Sequence, residues 1–276
     1  MVKLIVDSAS DYTLEEIKKK ELSLVPMEIE CQGKNYKDRI DIEPDAFYDL
    51  LLESPSLPKT SQPSPGAFLK AYDEWEHEIV VIPIAKELSG TYQSAVLAKE
   101  MSERENIEVL DSKQVTLSLR LLVEEAIRLR DEGKNAKEIK KELDALKERT
   151  HLLAIVDTLE YLYKGGRLSK AAYMAGNFLK IKPIISVIDG KVEVISKARS
   201  KKTILSEITK QLEEQGADLS NVYFGYTGKT HDISWFTDAL ASKFSLQDPT
   251  IYQVGAAIGT HAGPGAIAIA YAAKSN

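Results

Sequence analysis

Cysteine is nearly missing from this sequence. Cys31 is the one cysteine in 276 residues, which excludes an intrachain disulfide and a cysteine-rich metal site. Histidine is scarce, with 4 residues, and no HExxH pair or other Cys/His ligand set occurs, so no metal is expected. No stretch is apolar for long enough to span a bilayer, and the N-terminus meets an acid, Asp7, too early for a signal peptide. The expectation is a cytoplasmic protein. Positive charge is not in excess: 36 Lys and Arg stand against 42 Asp and Glu, a net charge of -6, so nothing draws the chain to a nucleic-acid backbone. Catalytic signatures fail too. Gly225-Tyr226-Thr227-Gly228-Lys229-Thr230 ends as a phosphate loop ends, but Tyr223 stands where that loop needs its first glycine. Glu87-Leu88-Ser89-Gly90-Thr91 lacks the flanking glycines of a nucleophile elbow.

What is present describes a globular chain able to bury a large core, with 43% hydrophobic and 28% charged residues. At about 150 residues per domain, the length fits two domains. Residues 1–150 alternate strands and helices: strands over 3–6, 22–29, 78–85 and 107–110, helices after a Thr13/Glu16 capping box, after Pro44, after Ser64-Pro65, after Ser89-Gly90-Thr91, and over 116–130 and 136–148. This rhythm implies an α/β domain with a mostly parallel sheet. The Pro- and Ser-rich segment 54–66 reads as an irregular surface loop. After Thr150 the pattern changes to a hairpin around Asp189-Gly190, with a type I′ signal, and strands over 151–156, 222–226, 251–257 and 267–272, with a helix over 233–244. Residues 151–276 therefore read as an α+β domain.

Three strands of the first domain end in small polar residues, at Asp7-Ser8, Ser89-Gly90-Thr91 and Asp111-Ser112. Ligands of open α/β sheets sit beyond the carboxyl ends of the strands, where helix N-termini favour anions. Thr60 and Ser61 belong to the same rim, although capping alone also explains each residue type. Gly165-Gly166-Arg167 joins close backbone approach to a fixed fork of donors, or is a helix C-cap followed by a surface arginine. His261, in His261-Ala262-Gly263-Pro264-Gly265, reads as an anion donor in a Gly/Pro loop or as a structural histidine. His77 and His231 read as surface residues.

These motifs, in this order, resemble the DegV family of bacterial fatty-acid-binding proteins. The likeness rests on Ile5-Val6-Asp7-Ser8, Lys59-Thr60-Ser61-Gln62-Pro63-Ser64, Leu88-Ser89-Gly90-Thr91-Tyr92-Gln93-Ser94-Ala95, Lys164-Gly165-Gly166-Arg167-Leu168-Ser169, Ile181-Lys182-Pro183-Ile184, Ala198-Arg199 and His261-Ala262-Gly263-Pro264-Gly265-Ala266. It implies two domains with one long-chain fatty acid between them, no cofactor, and presentation of the carboxylate to a separate fatty acid kinase that makes an acyl phosphate. By the same resemblance, Thr60 and Ser89 hold the carboxylate, Arg167 and His261 support it, and Arg199 with His261 serves the step after binding. The implied partners are the fatty acid, the kinase subunit and, transiently, a membrane surface. The chain departs from the family at Ala262, where threonine is common, and at Leu117 and Leu119, which add bulk. The alternative from a different class is a serine hydrolase or acyltransferase using Ser89 as nucleophile and His261 as base.

Overall fold

Apolar, β-branched runs build the centre of the first sheet. In the computed structural model, which describes residues 2–176, 181–229 and 232–274, β1 (Lys3–Asp7) is buried from Leu4 onward and follows directly into a single turn of 3-10 helix. Next come α1 (Leu14–Lys19), β2 (Ser23–Val25), β3 (Glu28–Cys31), β4 (Lys34–Lys37) and α2 (Pro44–Glu53). Then follow β5 (Lys59–Ser61), α3 (Pro65–Asp73), β6 (Ile79–Ile82), α4 (Thr91–Ser102), β7 (Ile107–Val109), α5 (Thr116–Asp131) and α6 (Ala136–Lys147). The second half contains β8 (Thr150–Ile155), α7 (Glu160–Lys164), α8 (Lys170–Gly176), β9 (Lys182–Ile188), β10 (Lys191–Ala198) and α9 (Lys201–Glu214). It ends with β11 (Ala217–Tyr226), α10 (Ser234–Phe244), β12 (Thr250–Gln253), α11 (Ala256–Ala262) and β13 (Ile267–Ala273).

Strands β2-β1-β6-β7 form a four-stranded sheet whose pairings are all parallel, as the alternating rhythm predicts. Phe68, Tyr72 and Ala95 of α3 and α4 pack with Ile5 and Val81 in one cluster. Leu122 and Ile139 of α5 and α6 join Leu4 and Val80 in another. Strands of one sheet buried against helices on both faces explain the continuous apolar runs. The later strands form a six-stranded mixed sheet, β10-β9-β8-β13-β11-β12. Ile208 and Phe236, from α9 and α10, pack with Leu153 and Ile269 of that sheet. Leu152, Ala154, Ala268 and Ala270 belong instead to the cluster that holds Leu4 and Ile82, so one apolar core runs from the first sheet to the second.

Local chemistry settles the expected caps and turns. Thr13 Oγ1 accepts from the Glu16 amide at 3.2 Å while the Glu16 carboxylate accepts from the Thr13 amide at 2.9 Å. Ser64 caps α3 by accepting from the Ala67 amide at 3.2 Å. At the hairpin between β9 and β10, Asp189 and Gly190 have φ of 48° and 78°, the paired positive values a type I′ turn requires.

Three sequence readings are corrected. The strand expected over 22–29 is two strands in different sheets, because Pro26 between them has no N–H to extend a ladder. The segment expected to be irregular contains β5, which pairs with β3 through Ile29 and Thr60 in a small antiparallel sheet, β4-β3-β5. The strand expected over 251–257 stops at Gln253, and α11 begins at Ala256, so His261 lies on a helix and not in a loop. The reason is remote: the buried Asp38 carboxylate accepts from the amides of Ala256 and Ala257, each at 3.2 Å, and caps that helix. His77 is exposed, and His231 lies outside the described residues.

Candidate functional site

An apolar cavity of about 820 Å³, its mouth included, lies against the six-stranded sheet and is lined from both halves of the chain. Ala154, Ile185 and Ala268 line it on the sheet side, and Ile84, Leu88 and Val115 come from the elements of the first half. The polar lining residues include Thr60, Ser89, Arg167 and His261.

Those four residues are brought together by neighbouring backbone. Strand alternation turns Thr60 inward while Lys59 and Ser61 face solvent. The Thr60 hydroxyl lies 2.7 Å from His261 Nε2, across 201 positions of sequence. Ser89 follows a turn in which its amide donates to the Ala85 carbonyl at 3.2 Å, and its hydroxyl meets Thr91 Oγ1 at 2.8 Å. Gly166, at φ 75°, supplies the left-handed turn after α7 that delivers Arg167. Arg167 Nε donates to the Leu88 carbonyl at 3.0 Å and Nη1 to the Gly165 carbonyl at 2.6 Å. Both acceptors are neutral, and no carboxylate pairs with this guanidinium among the described residues. Gly165 is needed for space: a Cβ there would stand 2.2 Å from His261 Nδ1. A threonine, a serine, an arginine and a histidine therefore surround one end of an otherwise greasy cavity, with a positive charge that no acid among the described residues neutralises.

Burial, reinforced by the Arg167 charge, pushes the His261 imidazole down to about 4, so the ring is neutral at pH 7. Its Nδ1 is buried without a partner. The native state disfavours the imidazolium, so stability attributable to this ring is complete above about 6.5 and is lost as pH falls from there to about 4. We expect His261→Gln to flatten that part of the stability-against-pH curve, an effect of up to about 3 kcal/mol, measured by denaturant unfolding across the window. A bound carboxylate favours the imidazolium, so an NMR titration of His261 is expected to move upward on adding a fatty acid. An unchanged midpoint would refute the carboxylate placement that the resemblance implies.

Other anticipated rim residues do local work. The Asp7 carboxylate accepts from the amides of Ala9 and Ile84, and burial raises it to about 7. Ser8 accepts from the Met27 amide, and Ser112 donates to the Gln114 carbonyl. Arg199 is exposed and lies outside the cavity. Ser89 and His261 are not partnered to each other, since each hydrogen-bonds a threonine instead, so the nucleophile–base pair of a serine hydrolase is not assembled. Of the bulky departures, Leu117 and Leu119 are buried in the core, and the start of α5 lines the cavity through Val115 and Thr116.

The residues that sequence reading missed form a buried ionic knot beside the cavity. Asp11 accepts from the Gly255 amide at 2.7 Å, from Arg39 Nη2 at 3.1 Å and from Thr116 Oγ1 at 2.5 Å. Thr116 needs that grip, because a β-branched residue at φ 51° is strained. Asp38, raised to about 6 chiefly by burial, caps α11 from the same knot.

The DegV family model, described as an uncharacterised protein of the DegV family, matches residues 1–274. A DegV domain-containing protein of Caldanaerobacter subterraneus subsp. tengcongensis is 35% identical over 279 residues, covering 99% of each chain. Among solved structures, a fatty-acid-binding DegV family protein from Thermus thermophilus superposes with a TM-score of 0.88 at 28% identity, over 99% of each chain. A stearic-acid-binding protein from Eubacterium ventriosum gives 0.89 at 29% identity, again over 99% of each.

Proposed function

Because this chain belongs to the DegV family, we propose that it binds one long-chain fatty acid in the apolar cavity. Thr60 and Ser89 hydrogen-bond the carboxylate, and Arg167 and His261 support it. The observation that carries this reading is the gathering of those four side chains, with an unneutralised guanidinium, at one end of a cavity whose remaining wall is almost wholly apolar. Burial of an acyl chain is worth about 0.8 kcal/mol per methylene, on the order of 10 kcal/mol for a long chain before ordering costs. Neutral hydroxyls are then enough to fix the head group. Residues 1–150 and 151–276 act as two domains, the first bringing Thr60 and Ser89, the second Arg167 and His261, with the ligand held between.

The chain is a carrier and not an enzyme in this reading. It presents the carboxylate to a separate fatty acid kinase, with His261 and the exposed Arg199 serving that step. It contacts a membrane surface transiently, and its location is cytoplasmic. Among the described residues no helix is long and apolar enough to cross a membrane.

Solvent extraction of the purified protein followed by mass spectrometry is expected to release a fatty acid in near-equal amount to protein. Folded, lipid-free protein that ignores added stearate would overturn the proposal. The kinase step is tested separately, by trapping acyl phosphate with hydroxylamine when ATP and a fatty acid kinase are supplied.

A further inference from the structure

Backbone register lays a row of residues across four strands of the second sheet. Ala268 pairs with Ala154 on one side and Gly225 on the other, and Gly225 pairs with Tyr252. Directly paired residues share a face. The first three line the cavity, and Tyr252 does not. The small-residue floor therefore ends between Gly225 and Tyr252.

Two groups stand beyond that edge, neither of them lining the cavity itself. Tyr252 cannot swing aside: the Arg120 guanidinium stacks 3.8 Å from its ring centre, and Tyr223 packs edge-on with centres 5.4 Å apart. Leu117, one turn before Arg120 on α5, is fully buried and occupies the space above Gly225. A Cβ at position 225 would stand 2.9 and 3.1 Å from the two methyl carbons of Leu117. Glycine lets the two approach this closely without either shifting, so the backbone of β11 and the side chain of Leu117 share one gap. Arg120 is itself clamped on its other face, where its guanidinium lies 3.8 Å from the Tyr12 ring centre, and it pairs with Glu16. The stopper thus hangs from a helix turn that is fixed on several sides.

We infer that Leu117 sets the upper limit on the acyl chain this cavity accepts. The inference rests on the fatty-acid reading above. Leucine at 117 fills a gap that would otherwise extend the small-residue trough as far as Tyr252. Cutting Leu117 to alanine removes its branched end from above Gly225 and joins that space to the cavity, making room for about two more methylenes. Each further buried methylene is worth roughly fourfold in affinity.

The test compares myristic, palmitic, stearic and arachidic acids by competitive displacement of a fluorescent fatty acid from the intact protein. For Leu117→Ala, the affinity ratio of arachidic to palmitic acid is expected to rise roughly tenfold over wild type. Leu117→Val, which loses less, shifts the ratio in the same direction by a smaller factor and serves if the alanine variant fails to fold. Leu117→Met keeps the volume and leaves the ratio near wild type. A variant that binds fatty acids with an unchanged ratio overturns the stopper alone. Folded wild-type protein that binds none of the four acids overturns the fatty-acid reading beneath it, so the two failures are told apart.

Discussion

Ala268→Leu is expected to lose roughly fifty-fold or more of its affinity for a long-chain fatty acid while remaining folded. Ala268 sits at the middle of the floor, between Ala154 and Gly225, and its small side chain is part of what gives the cavity its room. Leucine adds three carbons at that point, which displace a similar length of acyl chain at about 0.8 kcal/mol per methylene. Because the added atoms enter existing space, the penalty of overpacking a filled core is avoided. Fluorescent fatty-acid displacement reads the affinity, and thermal unfolding reads the fold. Full binding by a folded variant would show that the chain does not lie along this row.

The largest expected loss of stability comes from Asp11→Ala. Asp11 and Arg39 form an ion pair with side chains 0% and 3% exposed, and Asp11 also satisfies the Gly255 amide and the Thr116 hydroxyl. Removing one partner of a buried pair leaves the other charge uncompensated, at a cost of about 3–5 kcal/mol. Arg39 keeps one bond, from Nη2 to the Gln253 carbonyl at 3.0 Å, and the nearby Asp38 carboxylate, itself raised to about 6 by burial, offsets its charge only in part. Denaturant unfolding measures the loss, and the double variant Asp11→Ala/Arg39→Met is expected to be less destabilised than Asp11→Ala alone. A loss below about 1 kcal/mol would mean the pair is solvated, as an exposed pair is.

The site was more legible than the ground beneath it. Thr60, Ser89, Arg167 and His261 each stand in a short motif whose residue types fit either a polar rim or a plain structural role, and all four line the cavity. Ser61 belongs to the same motif as Thr60, yet the period of a strand turns it to solvent. Arg39 escaped because Lys37-Asp38-Arg39 has the composition of a wetted surface. Its burial comes from β12 and α11, more than 200 residues further along. Position 261 shows the same dependence: Gly263-Pro264-Gly265 advertises a loop, whereas the cap that starts α11 is the carboxylate of Asp38.

Local chemistry is what the chain carries in its own order. Apolar runs make the buried parallel strands, Thr13 with Glu16 and Ser64 with Pro65 start helices, and Asp189-Gly190 turns a hairpin, because each depends on atoms a few positions apart. The cavity, its stopper and its neutral histidine depend on atoms that only packing makes neighbours. Gly225 is no more than part of a failed phosphate loop until Leu117 rests on it, and His261 titrates near 4 only because folding dries its surroundings and sets Arg167 beside it. Desolvation and close packing act through space, so they were decided by the tertiary structure alone.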